Sequence, residues 1–389
     1  MIHPFKGPLV TQTLRGLSEN EPFHWRGDRP DLESFNDTFE DLMGGKRLSE
    51  PGMKLFKRFL LSLEFSANPN LTLMGSLPEM IAGGDPRRGF DLYKNHKFFE
   101  GFKCGSCHSR PSGGNKAVLD AGSFLLSQPF KIPHLRNLYK KTDFDQSPGA
   151  ESFSGFGLAP DGSFDTMSHY LSQPFFGNIR DDESIKIDLN AYLLCFDTGT
   201  APAVGHTVTI SPGIRDLEGR LMRIQILQEQ AELRGIDLVG LGVISGRRQG
   251  LIYWPKTARY HFDNSNQEPL TLEGLIHFAE QGSGITLMGV PPGSGLRMGI
   301  DRNQDGIPNG NSGFPEVRIQ RTGGKVLLQW SASALSYRLE QSSVFFQPLW
   351  LPIPDPPELN GNNFQVEFPI SDSDMMFRLV SNGLILGAR

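Results

Sequence analysis

The sequence predicts a multi-domain protein: a mainly α part, then a small α+β unit, then a C-terminal β-sandwich. Three observations carry this. The chain has 389 residues, enough for two or three domains of ordinary size. Helical signals mark 87–98 and 184–196, whereas short alternating runs appear after residue 313. Between them the two patterns are mixed. Hydrophobic content of 38%, charged content of 21% and a net charge of -5 describe an ordinary globular chain. They argue against a nucleic-acid-binding protein, which would need a clustered basic face. No apolar run reaches the ~20 residues that span a bilayer. The longest candidate, at 59–65, is broken by Ser62 and Glu64.

Within the α part, Asp85-Pro86 reads as an N-cap followed by proline at the first helical position, so a helix is expected over 87–98. Directly after it comes Phe102-Lys-Cys104-Gly-Ser-Cys107-His108. Two thiols three residues apart can each add across a vinyl group of haem, and the adjacent histidine then points its imidazole at the iron. One covalent haem c is therefore expected on Cys104 and Cys107, with His108 as an axial ligand. Two other readings of CxxC fit less well. A thioredoxin-like motif wants a strand before it and a helix N-terminus beneath it. A structural zinc site wants a second ligand pair, and the chain's third cysteine, Cys195, stands alone in an apolar run as a buried inert thiol.

A second helix is expected over 184–196, with Leu189, Tyr192, Leu193 and Phe196 as its apolar stripe. The sixth iron ligand should come from between the two helices. The candidates are His134, Met167 and His169. Met167 is preferred, because thioether ligation suits electron transfer. His169 is the alternative, since residues two apart on a helix face different ways. An open sixth position would instead favour peroxide chemistry.

With these residues in hand, the chain resembles the bacterial di-haem cytochrome c peroxidase superfamily, which includes the methylamine-dehydrogenase maturation enzymes. Phe130-Lys-Ile-Pro-His-Leu-Arg-Asn137 resembles the family's "FKVPTLRN". Pro160-Asp-Gly-Ser163 resembles its "HDGS", with proline in place of histidine, and Ala159 stands where the family often has methionine. Thr11-Gln-Thr-Leu-Arg-Gly-Leu17 and His24-Trp-Arg-Gly-Asp-Arg29 are similar to the stretch that follows the family's first haem, and Phe196-Asp-Thr-Gly199 to a stretch after its last helix. Gly89 and Tyr93 match the small-then-aromatic pair with which class I cytochromes pack these two helices. The resemblance implies that residues 1–80 are the remnant of a first haem domain whose CxxCH lies upstream, and that 81–205 are a cytochrome c domain. It implies electron transfer with small redox partner proteins, or alternatively reduction of hydrogen peroxide. Haem attachment to such a motif follows export, so a periplasmic or extracellular place is expected. A third reading is a surface binding module with a vestigial haem.

Residues 206–300 read as a small α+β unit, with one helix through Leu217, Leu221, Ile224, Leu227 and Ala231, strands at 237–244 and 250–254, and a helix at 272–280. His261 and His277 are isolated there, and neither suggests a site. Residues 301–313 form a calcium-loop-like linker: Asp301, Asn303 and Asp305 at positions one, three and five, glycine at six, then Ile307 and Asn309. The acid of position twelve is replaced by Ser312. A calcium ion, weakly held, is expected. Residues 314–389 carry strand-like runs at 317–319, 326–330, 337–340, 364–368 and 377–380, a pattern similar to a fibronectin type III sandwich acting as spacer or docking module.

Overall fold

The computed structural model describes residues 2–3, 7–123, 128–143, 155–244, 247–281, 284–304, 306–311, 317–332, 337–343, 349–353, 355–369 and 375–381. These residues form a multi-domain chain with helices and several separate sheets. Among them, no helix is long and apolar enough to cross a membrane.

The chain begins with the antiparallel pair β1 (Ile2–His3) and β2 (Gly7–Pro8), then α1 (Asn36–Asp41) and α2 (Glu50–Leu61). Ser49 caps α2 by accepting from the Gly52 N–H, and Pro51 sits in the first turn, where its missing donor costs nothing. Met53 and Leu60 on α2 close over Leu17, Phe23 and Leu32 in a small core of their own. This unit is tied to the next by Asn68, whose amide donates to the carbonyls of Leu194 and Phe196 at 2.9 Å each.

Next come α3 (Pro86–Asn95), the single turn α4 (Cys104–Cys107), the two-residue strands β3 (Val118–Leu119) and β4 (Phe130–Lys131), α5 (Met167–Leu171) and α6 (Glu183–Leu194). α3 stops three residues before the expected end at 98. His96 turns extended, and the Phe98 N–H bonds the Phe102 carbonyl at 2.9 Å, so the chain folds back before the cysteines. α6 packs against α3 and closes a core with Ile179, Leu189 and Phe196.

The third unit holds β5 (Thr207–Ile210), α7 (Leu217–Glu232), β6 (Asp237–Ile244), β7 (Arg247–Trp254), β8 (Arg259–Phe262), α8 (Leu272–Gln281) and β9 (Ile285–Val290). The strands make one antiparallel sheet in the order β5-β9-β6-β7-β8. Two of its five strands are visible as runs in the sequence; β8 is a four-residue strand hairpinned to β7, and β5 and β9 are short and pair across the length of the unit. Side chains alternate across the sheet. Leu238 joins Ile224 and Leu227 of α7 and Leu275 of α8 on one face, whereas Val239 joins Ile252, Val290 and Ile300 on the other.

The last unit is two sheets sharing a core of Leu328, Trp330, Leu339 and Val366. One contains β10 (Arg318–Thr322), β11 (Lys325–Ser331), β14 (Glu358–Asn360) and β15 (Asn363–Pro369); the other contains β12 (Tyr337–Ser342), β13 (Leu351–Pro352) and β16 (Met376–Ser381). Buried Glu340 is held between Arg338 and Arg378 at 2.8 and 2.7 Å.

Candidate haem site

The site is built on the crossing of α3 and α6. Asp85 caps α3 by accepting from the N–H groups of Arg87 and Arg88. Gly89 lies at the crossing, where a Cβ would stand 1.9 Å from the Asp188 carbonyl oxygen and 2.8 Å from the Tyr192 Cβ. Only glycine lets the two backbones meet there. One turn later Tyr93 packs its ring against Tyr192 and Phe196, at centroid distances of 5.1 and 6.1 Å, and its hydroxyl donates to the His108 carbonyl.

α4 then presents both thiols. Residues three apart on a helical turn share a side, and Cys104 and Cys107 both line one cavity of 1410 Å³. Neither forms a disulfide. Burial pushes the Cys104 thiol up to about 11 and that of Cys107 upward too. A redox-active CxxC has its thiol pushed down, so this environment opposes disulfide exchange.

His108 completes the motif. Its Nδ1 lies 2.8 Å from the Gly113 carbonyl and 3.1 Å from that of Pro133. Carbonyls only accept, so Nδ1 carries the proton and Nε2 keeps its lone pair. Burial lowers the imidazole's pKa and holds it neutral. A neutral histidine oriented through its second nitrogen is the state that binds a metal. Haem fits this donor set: two thiols, a free Nε2 lone pair, and a cavity walled by Leu135, Tyr170, Phe176, Leu189 and Leu193.

The three candidates for the opposite ligand sit in different places. Met167 opens α5, is 4% exposed and lines the cavity. Thr166 sets that helix start by accepting from the His169 N–H at 3.2 Å. His169 is exposed, lies outside the cavity wall, and its Nδ1 pairs with Asp165 at 2.9 Å. His134 lines the cavity beside the ring of Phe65, 5.5 Å between centroids. Burial, helped by Lys141, Lys131 and Arg136, pushes its imidazole down to about 3. Cys195 is buried, touches the Asn70 carbonyl at 3.5 Å, and has its thiol pushed up to about 11.

Much of the cavity wall comes from residues 7–25 and 130–141, which spacing arguments on the haem motif do not reach. Trp25 donates its Nε1–H to the Val10 carbonyl at 2.7 Å, and its own carbonyl accepts from the Lys131 N–H at 2.8 Å. Two residues on, the Pro133 carbonyl holds His108. The 301–311 segment lies elsewhere, beside the third unit's sheet. There the Gly306 N–H donates to Asp301 Oδ2 at 2.9 Å and the Arg302 N–H to Asn309 Oδ1 at 2.5 Å. Asn303 and Ile307 belong to the same turn, and Asp305 lies outside the described residues. Among the described residues, no group of three or more His, Cys, Asp or Glu side chains is arranged to hold a metal.

No family model matches the sequence. No curated protein matches it either. Among solved structures, the chain is similar to one from Kuenenia stuttgartiensis hydrazine synthase pressurised with xenon, at a TM-score of 0.31 and 16% identity, over 48% of this chain and 72% of that one. A likeness of this size carries no structural argument.

Proposed function

We propose that this chain is a c-type cytochrome that transfers electrons through one haem c bound covalently to Cys104 and Cys107. The observation that carries the proposal is the state of His108: Nδ1 is committed to two backbone carbonyls, which leaves the Nε2 lone pair available beside two half-buried thiols. His108 would be the proximal ligand and Met167 the distal one. Haem bound there would supply a one-electron redox centre. The chain's own residues orient the ligand, exclude water with Tyr93, Phe176 and Leu193, and keep the thiols from disulfide chemistry. In this reading residues 81–205 are a mainly α cytochrome c domain, residues 1–80 derive from a preceding one, and the C-terminal sheets are a fibronectin-like spacer. The resemblance to the di-haem peroxidase superfamily supports that arrangement, with a small redox protein as partner and a periplasmic or extracellular location.

The test is denaturing electrophoresis with haem staining of the protein expressed alongside a haem-attachment system. Colour should stay on the polypeptide and be lost in the Cys104→Ala, Cys107→Ala double variant. Colour extracted from the unaltered protein by acid acetone would end the proposal.

A further inference from the structure

The charge of the cavity wall is at odds with the charge of the chain. Acids outnumber bases in the whole sequence, 43 to 38. Among the described residues of the wall, Arg15, Lys103, Lys131, Lys140 and Lys141 face a single carboxylate, Asp161. Three of the polar groups are also poorly satisfied. Lys131 is 5% exposed, and among the described residues its ammonium finds only the Asn20 carbonyl at 2.8 Å and the Asn20 side-chain oxygen at 3.5 Å. Glu21, the acid that acts on it from further off, is held by Lys116 at 3.4 Å. The Lys141 ammonium lies 5.8 Å from the centre of the Trp25 ring and makes no ion pair among the described residues. Among the described residues, His134 Nδ1 is buried without a well-aligned hydrogen-bond partner, although the Arg136 backbone lies near the ring. Buried cations and donors without an anion cost free energy, and a bound anion offsets that cost.

We propose that Lys131, His134 and Lys141 form a carboxylate-binding site on the Trp25 side of the cavity. The carboxylate comes either from the propionates of the haem, a source that rests on the function proposed above, or from a free small carboxylate bound beside it. Room exists for both, since 1410 Å³ exceeds the roughly 300–1,000 Å³ of single-ligand pockets. A carboxylate there accepts from the two ammonium groups and from the His134 ring, and the Trp25 face shields the Lys141 contact from water.

The experiment is a calorimetric titration of sodium malonate into the full chain as purified, repeated for Lys141→Met and Lys141→Arg. Binding that weakens about tenfold or more in Lys141→Met, as loss of a charge-assisted hydrogen bond implies, and returns in Lys141→Arg establishes a site for a free carboxylate. The second arm uses the haem-loaded chain with isotope-labelled propionates. No malonate binding, together with a shift of the propionate infrared stretch in Lys141→Met that Lys141→Arg reverses, identifies the propionates as the ligand. Absence of both malonate binding and an infrared shift overturns the proposal. If the chain carries no covalent haem, the function proposed above fails, and the malonate arm alone decides this one: binding supports the site and its absence refutes it. Should Lys141→Met lose its folded circular dichroism, Lys131→Met and His134→Gln read the same two arms.

Discussion

Two histidines near the haem motif behave differently because their hydrogen bonds differ. His108 has its Nδ1 proton placed on two carbonyls, which leaves one defined lone pair. His134 has a buried nitrogen with no well-aligned partner among the described residues, and its pKa falls to about 3 from an ordinary 6.5. The folded chain keeps His134 neutral while the unfolded chain protonates it below about 6.5. The unfolded state therefore binds more protons between pH 6.5 and 3, and stability falls as pH drops through that window. Urea unfolding of His134→Gln should lose part of this acid sensitivity while matching the parent near pH 7.5. An unchanged slope between pH 6.5 and 4.5 would remove His134 from the account. Met167 invites a sharper test. In the haem-loaded protein, Met167→Ala should abolish the thioether-to-iron charge-transfer band and lower the midpoint potential. His169→Ala should change neither, because His169 is turned outward onto Asp165. The opposite pattern would transfer the role to His169.

At the level of elements, the α3–α6 crossing holds the site together. Gly89 allows the approach, and Tyr93 and Tyr192 fill the space beside it. Gly89→Ala places a methyl into the Asp188 carbonyl, an overpacking that costs about 1–3 kcal/mol. Thermal melting of Gly89→Ala should fall by several degrees, with haem incorporation reduced at growth temperature. A melting point equal to the parent's would show that the crossing is looser than the close approach implies. The segment at 301–311 offers a second test at this scale. Asp301 already turns the loop by accepting from the Gly306 N–H. If the loop takes calcium through Asp301, Asn303, Asp305, Ile307 and Asn309, the ion should raise the melting temperature by mass action, and a chelator should restore protease cutting near residue 310. No response to either reagent leaves a plain linker turn.

Across the whole molecule, the haem motif lies in one unit while the cavity around it is finished by another. Residues 7–25 supply one wall, the loop through 130–141 a second, and the α3–α6 core the floor. The backbone bond from Lys131 to Trp25 ties the first two together, and Asn68 clamps the N-terminal unit to the end of α6. The third and fourth units keep separate cores, and none of their described residues lines this wall.

Local chemistry was legible in the residues. Cys104, Cys107 and His108 lie within five residues, so their sharing one turn and one cavity wall needs little tertiary information. The Asp85 cap, the α7 stripe and the alternating runs at 326–330 and 364–368 follow from periods of 3.6 and 2. Tertiary structure alone decided which distant groups meet. That β5 and β9 join a single sheet could not be read from four- and six-residue runs, of which Thr207 and Met288, 81 positions apart, are partners. Nor could the gathering of Trp25, Lys131, His134 and Lys141 around one cavity, since each of those residues is ordinary in its own segment. Spacing records neighbours along the backbone, whereas a cavity's charge depends on side chains brought together by burial elsewhere in the chain.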